Sequence, residues 1–339
     1  MTQAKAVERI LQWDEIVIGE EAKPVTIEVT PQAMANYCTS VGEDNTVFTD
    51  DRMARAQGYP GIVAPASMYF YYAPARRLDI MHEDGFISPE EASVNPRATP
   101  FVGTEARWHG VYICPGDRIT SVCRFANKWQ AGSGNRFLSI GVEATNQRGE
   151  KVVSYLYNVM WEFARGQKSR AAGGVAGLAS AAPAQSSGKI LTPTNLAYDA
   201  IQPGDTLPSI QRRITQQVIN DYTSLNDREG RGPGPTSLLH VDEAFAQATV
   251  FAGTTLQGPA AVGHLVVVLT KGFGLKRVAG GATLTERALE PVRPGDTISY
   301  SGRVLDKRVE QGARLVEVEL KGTNQLGQTT AVAKVTVSV

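Results

Sequence analysis

Residues 293–300 read RPGDTISY and residues 114–121 read CPGDRITS, so one motif recurs at an offset of 179. Downstream, TNQLGQ (323–328) follows the second copy as TNQRGE (145–150) follows the first, at an offset of 178. Upstream, VDEAFAQATVFAGTTLQ (241–257) matches TDDRMARAQGYPGIVAP (49–65) at 192, setting Asp242 opposite Asp50. Further upstream, Pro203–Tyr222 matches Ile18–Tyr37 at 185, setting Tyr222 opposite Tyr37. Four matches in the same order mark a duplicated unit of roughly 150 residues, about one domain's worth. The rise from 185 to 192 puts seven extra residues in the second copy, between Tyr222 and Asp242. The fall to 179 puts thirteen extra in the first copy, within 72–110.

Each unit reads as α+β. An alternating segment (VTIEV, 25–29) leads into a helix from PQAMANY, with Thr30 as its N-cap. Short helices follow at 50–57 and 242–248, where Asp50 and Asp242 complement the helix dipole. Long apolar helices are expected at 64–78 and 256–274. TISYSGRVLDKRV, ARLVEVELKGTNQ and GQTTAVAKVTVSV then alternate apolar and polar residues, as half-buried antiparallel strands do. TNQRG and TNQLG join such strands as hairpin turns. Between the units, 166–188 holds small and polar residues without aromatics and reads as a flexible linker. The expected domains are therefore 1–165 and 189–339.

The 339 residues suit two domains, and 42% hydrophobic against 20% charged residues is a globular balance. Thirty-four basic residues equal thirty-four acidic ones, which argues against nucleic acid as a partner. Cys38, Cys114 and Cys123 form no C-x-x-C pair and no disulfide framework, so a reducing, cytoplasmic setting is expected. The first sixteen residues lack the apolar core of a secretory signal. The most apolar run, AAVGHLVVVL (260–269), is about half a membrane span, so no membrane anchor is expected.

Several chemistries find no support. There is no G-x-S-x-G elbow, Walker loop or HExxH. The glycine-rich GRGPGP at 230–235 contains prolines without N–H groups and reads as a stiff loop, not a phosphate cradle. His82, His109, His240 and His264 lack metal-ligand spacing, so neither a metal nor a cofactor is expected. His264, on an apolar helix, reads as a satisfied core residue.

What remains is His240 in SLLHVDEAFA, followed eighteen residues later by Gly258 at the start of the long apolar helix. This pattern resembles the MaoC-like (R)-specific enoyl-thioester hydratases of the hot-dog fold. Their motif reads roughly D-x-N-P-x-H-x-D, then an Ala-rich short helix and a Gly opening the central helix. PVRPGDT (291–297) and TNQLG (323–327) also resemble that family. Because both units match, the resemblance implies a double hot dog, each domain a long helix wrapped by an antiparallel sheet. It implies reversible hydration of a 2-enoyl-CoA, or of the equivalent carrier-protein thioester, with a homodimer of double hot dogs as an assembly to test.

In such a reaction an Asp/His pair moves the protons of one water, and a helix-start N–H holds the enolate-like oxygen. The resemblance carries over to His240 as the catalytic His and to Gly258 as the oxyanion donor. Pro235 occupies the catalytic Asp position, and Ser237 and Leu238 replace the Asn and Pro. Glu229 and Asp227 are the nearest upstream carboxylates outside that gap, and Asp227 is the preferred partner because the family uses Asp. The glycine-rich insertion is expected to fold over the pocket mouth and return Asp227 to His240. In the first unit, GEDNTVFTD (42–50) sets Glu43 and Asn45 at the Asp and Asn positions but Phe48 at the His position. Phenylalanine relays no proton, so that half is expected to be silent, with Ala66 opposite Gly258. Lys276 and Arg277, just past the central helix, are candidates for the CoA phosphates, against the plainer reading of a solvated helix end. A non-catalytic acyl-thioester binder or partner-dependent subunit is the alternative, because both motif copies are damaged. Thioester hydrolysis is the third reading.

Overall fold

The second RPGDTISY motif ends inside a strand of a ten-stranded antiparallel sheet that runs through both units. The computed structural model describes residues 8–162, 188–225, 234–249 and 251–339. Most of the expected linker, and Asp227 and Glu229, therefore lie outside the described residues.

The first unit contributes β1 (Val25–Glu28), β2 (Phe101–Trp108), β3 (Arg118–Gln130), β4 (Arg136–Thr145) and β5 (Lys151–Glu162). The second contributes β6 (Ile210–Arg213), β7 (Thr283–Ala288), β8 (Thr297–Glu310), β9 (Ala313–Thr323) and β10 (Thr329–Ser338). Their order, β1-β3-β4-β5-β2-β7-β10-β9-β8-β6, is the same pattern written forward and then backward. The two copies join where β2 meets β7, with Glu105 opposite Thr285 at the centre of the register. One continuous sheet leaves the seam no unpaired strand edge.

The recurring motifs repeat their hydrogen bonds atom for atom. The Asp117 carboxylate accepts from the Cys114 N–H at 2.8 Å, and Asp296 accepts from the Arg293 N–H at 2.8 Å. Gln147 donates to Asp117 and Gln325 to Asp296, tying each hairpin to the Pro-Gly-Asp turn that precedes β3 or β8. At the hairpins, Asn146 Oδ1 accepts from Arg148 and Glu150 N–H, as Asn324 Oδ1 does from Leu326 and Gln328. Gly149 and Gly327 take the left-handed turn position at φ 76° and 79°.

Helices follow the same duplication until the central one. Thr30 caps α1 (Pro31–Val41) and Thr215 caps α5 (Gln216–Ser224), each side chain accepting an N–H three residues on. These two helices pack together, with the Tyr37 and Tyr222 rings 6.2 Å apart. Asp50 caps α2 (Asp51–Ala56), and Asp242 caps a later helix of the second unit, Glu243–Ala248. Both aspartates are therefore hydrogen-bonding caps as well as dipole charges.

The expected helix at 64–78 does not form as one piece. A 3-10 turn at Ala66–Met68 runs into α3 (Tyr69–Tyr72), which stops before Pro74; α4 (Arg77–Glu83) starts afresh. Pro74 has no N–H for the next helical bond, and its ring forces Ala73 out of the helical region, to φ −137° and ψ 67°.

In the second unit α6 (Leu238–Val241) and α7 (Glu243–Ala248) precede α8 (Gly258–Phe273), which runs unbroken and is buried on nearly every side. Such a helix must be enclosed, and β8, β9, α1 and the 3-10 turn of the first unit enclose it. Closeness of packing shows at Gly272, where an added Cβ would come 2.6 Å from Leu207. Helix α9 (Leu275–Ala279) follows α8 directly. No helix among the described residues is long and apolar enough to cross a membrane.

Candidate active site

Where the first unit's helix breaks, a cavity of about 1190 Å³ opens between the units. Phe70, Pro74 and Arg77 line it from the first unit, and His240, Leu256 and Gly258 from the second. Two of the three residues expected to act together, His240 and Gly258, therefore face one space. Asp227 is outside the described residues. Thr236 and Ser237, just after the glycine-rich stretch, stand in the cavity wall.

His240 sits on α6, a single turn between the insertion and the Asp242 cap. Its Nδ1 lies 2.7 Å from the Thr255 carbonyl. A carbonyl only accepts, so the neutral ring carries its proton on Nδ1 and leaves Nε2 as a bare acceptor. Burial pushes the imidazole pKa down to about 4, against the opposing pull of the Thr255 carbonyl; the positive charge of Arg77 depresses it further. A ring neutral at ordinary pH, with one nitrogen held and the other without a partner among the described residues, is equipped as a general base. Gln216 fixes the peptide behind it, donating to the His240 carbonyl at 2.9 Å while accepting from Thr254 Oγ1 at 2.8 Å.

Gly258 opens α8 after Gln257 as N-cap, with Pro259 in the first turn. Among the described residues no acceptor binds the Gly258 N–H. A helix start carries partial positive charge, which suits a developing oxyanion. Glycine is required there: an added Cβ would fall 1.9 Å from the Phe101 ring. Phe101, at the start of β2, comes from the other unit and leans on Tyr157, with ring centroids 4.9 Å apart.

The corresponding place in the first unit is closed. Ala64 N–H bonds the Ile113 carbonyl as Leu256 N–H bonds that of Val292, so the frame is conserved between the copies. Inside that frame Phe48 is 1% exposed, a packed core residue. Glu43 is buried and its pKa is pushed up to about 7, mainly by burial, while it accepts the Asn45 N–H. Ala66 begins the 3-10 turn rather than a long helix.

Lys276 and Arg277 lie on α9, beyond the far end of α8, and neither lines the cavity. Sixteen helical residues separate α9 from the His240 end, about 24 Å. Lys276 instead stands over the Tyr59 ring, 5.3 Å from its centroid. His264 is fully buried, its Nδ1 3.1 Å from the Tyr300 hydroxyl, but its Nε2 has no partner among the described residues, so it is only half satisfied.

Sequence reasoning passed over Arg77, Glu90, Thr99 and Phe101, which bring the first unit into this site. The available signal was the longer 72–110 stretch of the first copy, which contains all four.

The profile of the family described as "FAS1-like, dehydratase domain region" matches residues 16–155. A curated relative, a UPF0336 protein of Saccharopolyspora erythraea, is 25% identical over 140 residues, covering 41% of this chain and 85% of its own length. Among solved structures, a MaoC-like dehydratase aligns at TM-score 0.69 and 17% identity, over 94% of this chain and 98% of its own. A putative MaoC domain protein dehydratase of Chloroflexus aurantiacus aligns at TM-score 0.67 and 14% identity, covering 99% of each chain. A conserved hypothetical protein of Mycobacterium tuberculosis described as a double hot dog aligns at 0.61 and 12%, over 97% of this chain and 98% of its own.

Proposed function

We propose, from a chain with the double hot-dog fold of the MaoC-like dehydratases and a dehydratase-region match in its first half, that it hydrates a 2-enoyl thioester reversibly. The supporting observation is the His240–Thr255 bond, which leaves Nε2 the acceptor nitrogen, unpartnered among the described residues, of a residue that lines one cavity with Gly258. His240 Nε2 removes a proton from water as its oxygen bonds to the β-carbon. The electron pair moves through the α-carbon to the thioester oxygen, which the Gly258 N–H holds. Return of a proton to the α-carbon completes the 3-hydroxyacyl thioester, with Asp227 as the partner that shares this transfer. The second unit is then the catalytic half. The first, with Phe48 at the His position, shapes the acyl space, and the CoA or carrier-protein arm enters from outside.

One observation favours a second reading, a binder that performs no chemistry. No carboxylate among the described residues bonds His240. Purified protein with crotonyl-CoA and longer 2-enoyl-CoAs separates the readings. Loss of enone absorbance without free thiol supports hydration, thiol release supports thioester hydrolysis, and silence with retained binding supports the binder.

A further inference from the structure

The hydrogen bond between His240 and Thr255 is gripped from outside the cavity by one side chain. Gln216 is the first residue of α5, directly after the Thr215 cap. Its Nε2 donates to the His240 carbonyl at 2.9 Å and to Asn220 Oδ1 at 2.9 Å, and its Oε1 accepts from Thr254 Oγ1 at 2.8 Å. One amide thus holds the residue that carries the ring and the neighbour of the residue whose carbonyl binds it. Thr254 is 6% exposed, and a hydrogen bond in such surroundings is stronger than one in water. Towards the other end of the same helix, Gln257 Nε2 donates to the Ile219 carbonyl at 3.3 Å and to Thr223 Oγ1. Gln257 directly precedes Gly258, so α5 braces both the proposed base and the proposed oxyanion donor.

The first copy serves as an internal control, because the unit folds there without this brace. At the offset of 185, Pro31 stands for Gln216 and Cys38 for Thr223; at 192, Ile62 stands for Thr254 and Pro65 for Gln257. Pro31, Ile62 and Pro65 carry no hydrogen-bonding side chain, and the Cys38 thiol is a weak one. Helix α1 is nevertheless capped by Thr30 as α5 is by Thr215. The polar set accompanies the copy that has the histidine and is missing from the copy with Phe48 in its place.

We infer that Gln216 is a positioning residue, which keeps the His240 ring in its Nδ1–H tautomer by clamping residues 240 and 254 beside the His240–Thr255 bond. A ring so held presents Nε2 as an acceptor. A released ring can carry its proton on Nε2 instead, and that nitrogen then takes none from water. Neither Gln216 nor Thr254 lines the cavity, so both act through His240 and not on the acyl chain. The effect on turnover rests on the hydratase reading proposed above; the effect on the ring does not.

The first test reads the ring directly. The full chain is labelled with nitrogen-15 in its four histidines and observed by long-range proton–nitrogen correlation near neutral pH. The His240 signals are those lost in His240→Ala. The parent should show His240 in the Nδ1–H tautomer. Signals of the Nε2–H tautomer should appear in Gln216→Leu and in Thr254→Val, which removes one hydroxyl and keeps the side-chain shape. Thr254→Val decides if Gln216→Leu does not fold. A parent ring in the Nε2–H tautomer overturns the inference, as does an unchanged tautomer in either folded variant. On crotonyl-CoA, kcat should fall about tenfold or more in both variants, with KM near the parental value. Parental kcat in a variant whose tautomer has loosened, or a loss confined to KM, overturns the positioning role. Absence of turnover in the parent, with the tautomer response intact, removes the hydratase reading and leaves the clamp.

Discussion

The Nδ1–H of His240 is held by the Thr255 carbonyl at 2.7 Å, three residues before Gly258 opens α8. The proposed base and the proposed oxyanion donor are therefore tied through one short stretch of backbone, and a shift of either moves the other. His240→Ala should lower kcat by at least about a hundredfold on any enoyl thioester the protein hydrates. Circular dichroism should remain that of the parent, since the ring is half-buried on a single helical turn. Near-parental turnover would remove the role given to His240.

The pH profile follows from the same ring. Its folded pKa of about 4 lies below the ordinary 6.5, so the unfolded chain takes up the proton first. Stability from this group is fully present above about 6.5 and is lost as pH falls toward 4. If His240 is the base, the acid limb of kcat/KM should bend near 4 rather than near 6.5. An acid limb at the ordinary histidine value would contradict the desolvated, Thr255-bound ring.

Gly258→Ala should be damaging out of proportion to one methyl group, because the Cβ would land 1.9 Å from the Phe101 ring. Overpacking of this kind costs about 1–3 kcal/mol. A second change, Phe101→Leu, should recover much of the lost thermal stability in the double variant. If the two effects simply add, Phe101 is not what demands glycine there.

Glu286 is 2% exposed on β7 at the seam, with both carboxyl oxygens unpartnered among the described residues. Burial pushes its pKa up to about 8. The folded state thus holds the proton that the unfolded state releases near 4.5, so stability falls as pH rises from 4.5 through 8. Urea-unfolding midpoints should drop across this range in the parent and drop less in Glu286→Gln. Buried Glu43, raised to about 7, would retain part of the slope in that variant.

Phe48→Ala should act on packing alone. Removing a fully buried Phe costs about 3–5 kcal/mol, read as a lower unfolding midpoint. Turnover per folded molecule should stay at the parental level, and a selective loss of the proton-transfer step would mean that the first unit takes part in the chemistry.

Features written in short stretches of chain were legible in the sequence. Thr30 caps α1 through an N–H three residues away, Asp50 and Asp242 stand at helix starts, and Asn146 and Asn324 close hairpins within five residues. Alternation alone placed β8, β9 and β10, since a half-buried strand must show each face in turn. The long helix expected at 64–78 failed on a local rule given too little weight, the proline at 74.

The duplication and its offsets determined that one α+β unit occurs twice, and two copies of one unit pair the same strands. What only the tertiary structure decided is where the copies touch. No local pattern announces that the Phe101 ring occupies the place of a side chain at Gly258, or that Arg77 lines the cavity of the other unit. Those contacts join residues far apart in the chain. They depend on the β2–β7 seam and on the space left where α3 stops, which are properties of the assembled sheet rather than of any segment.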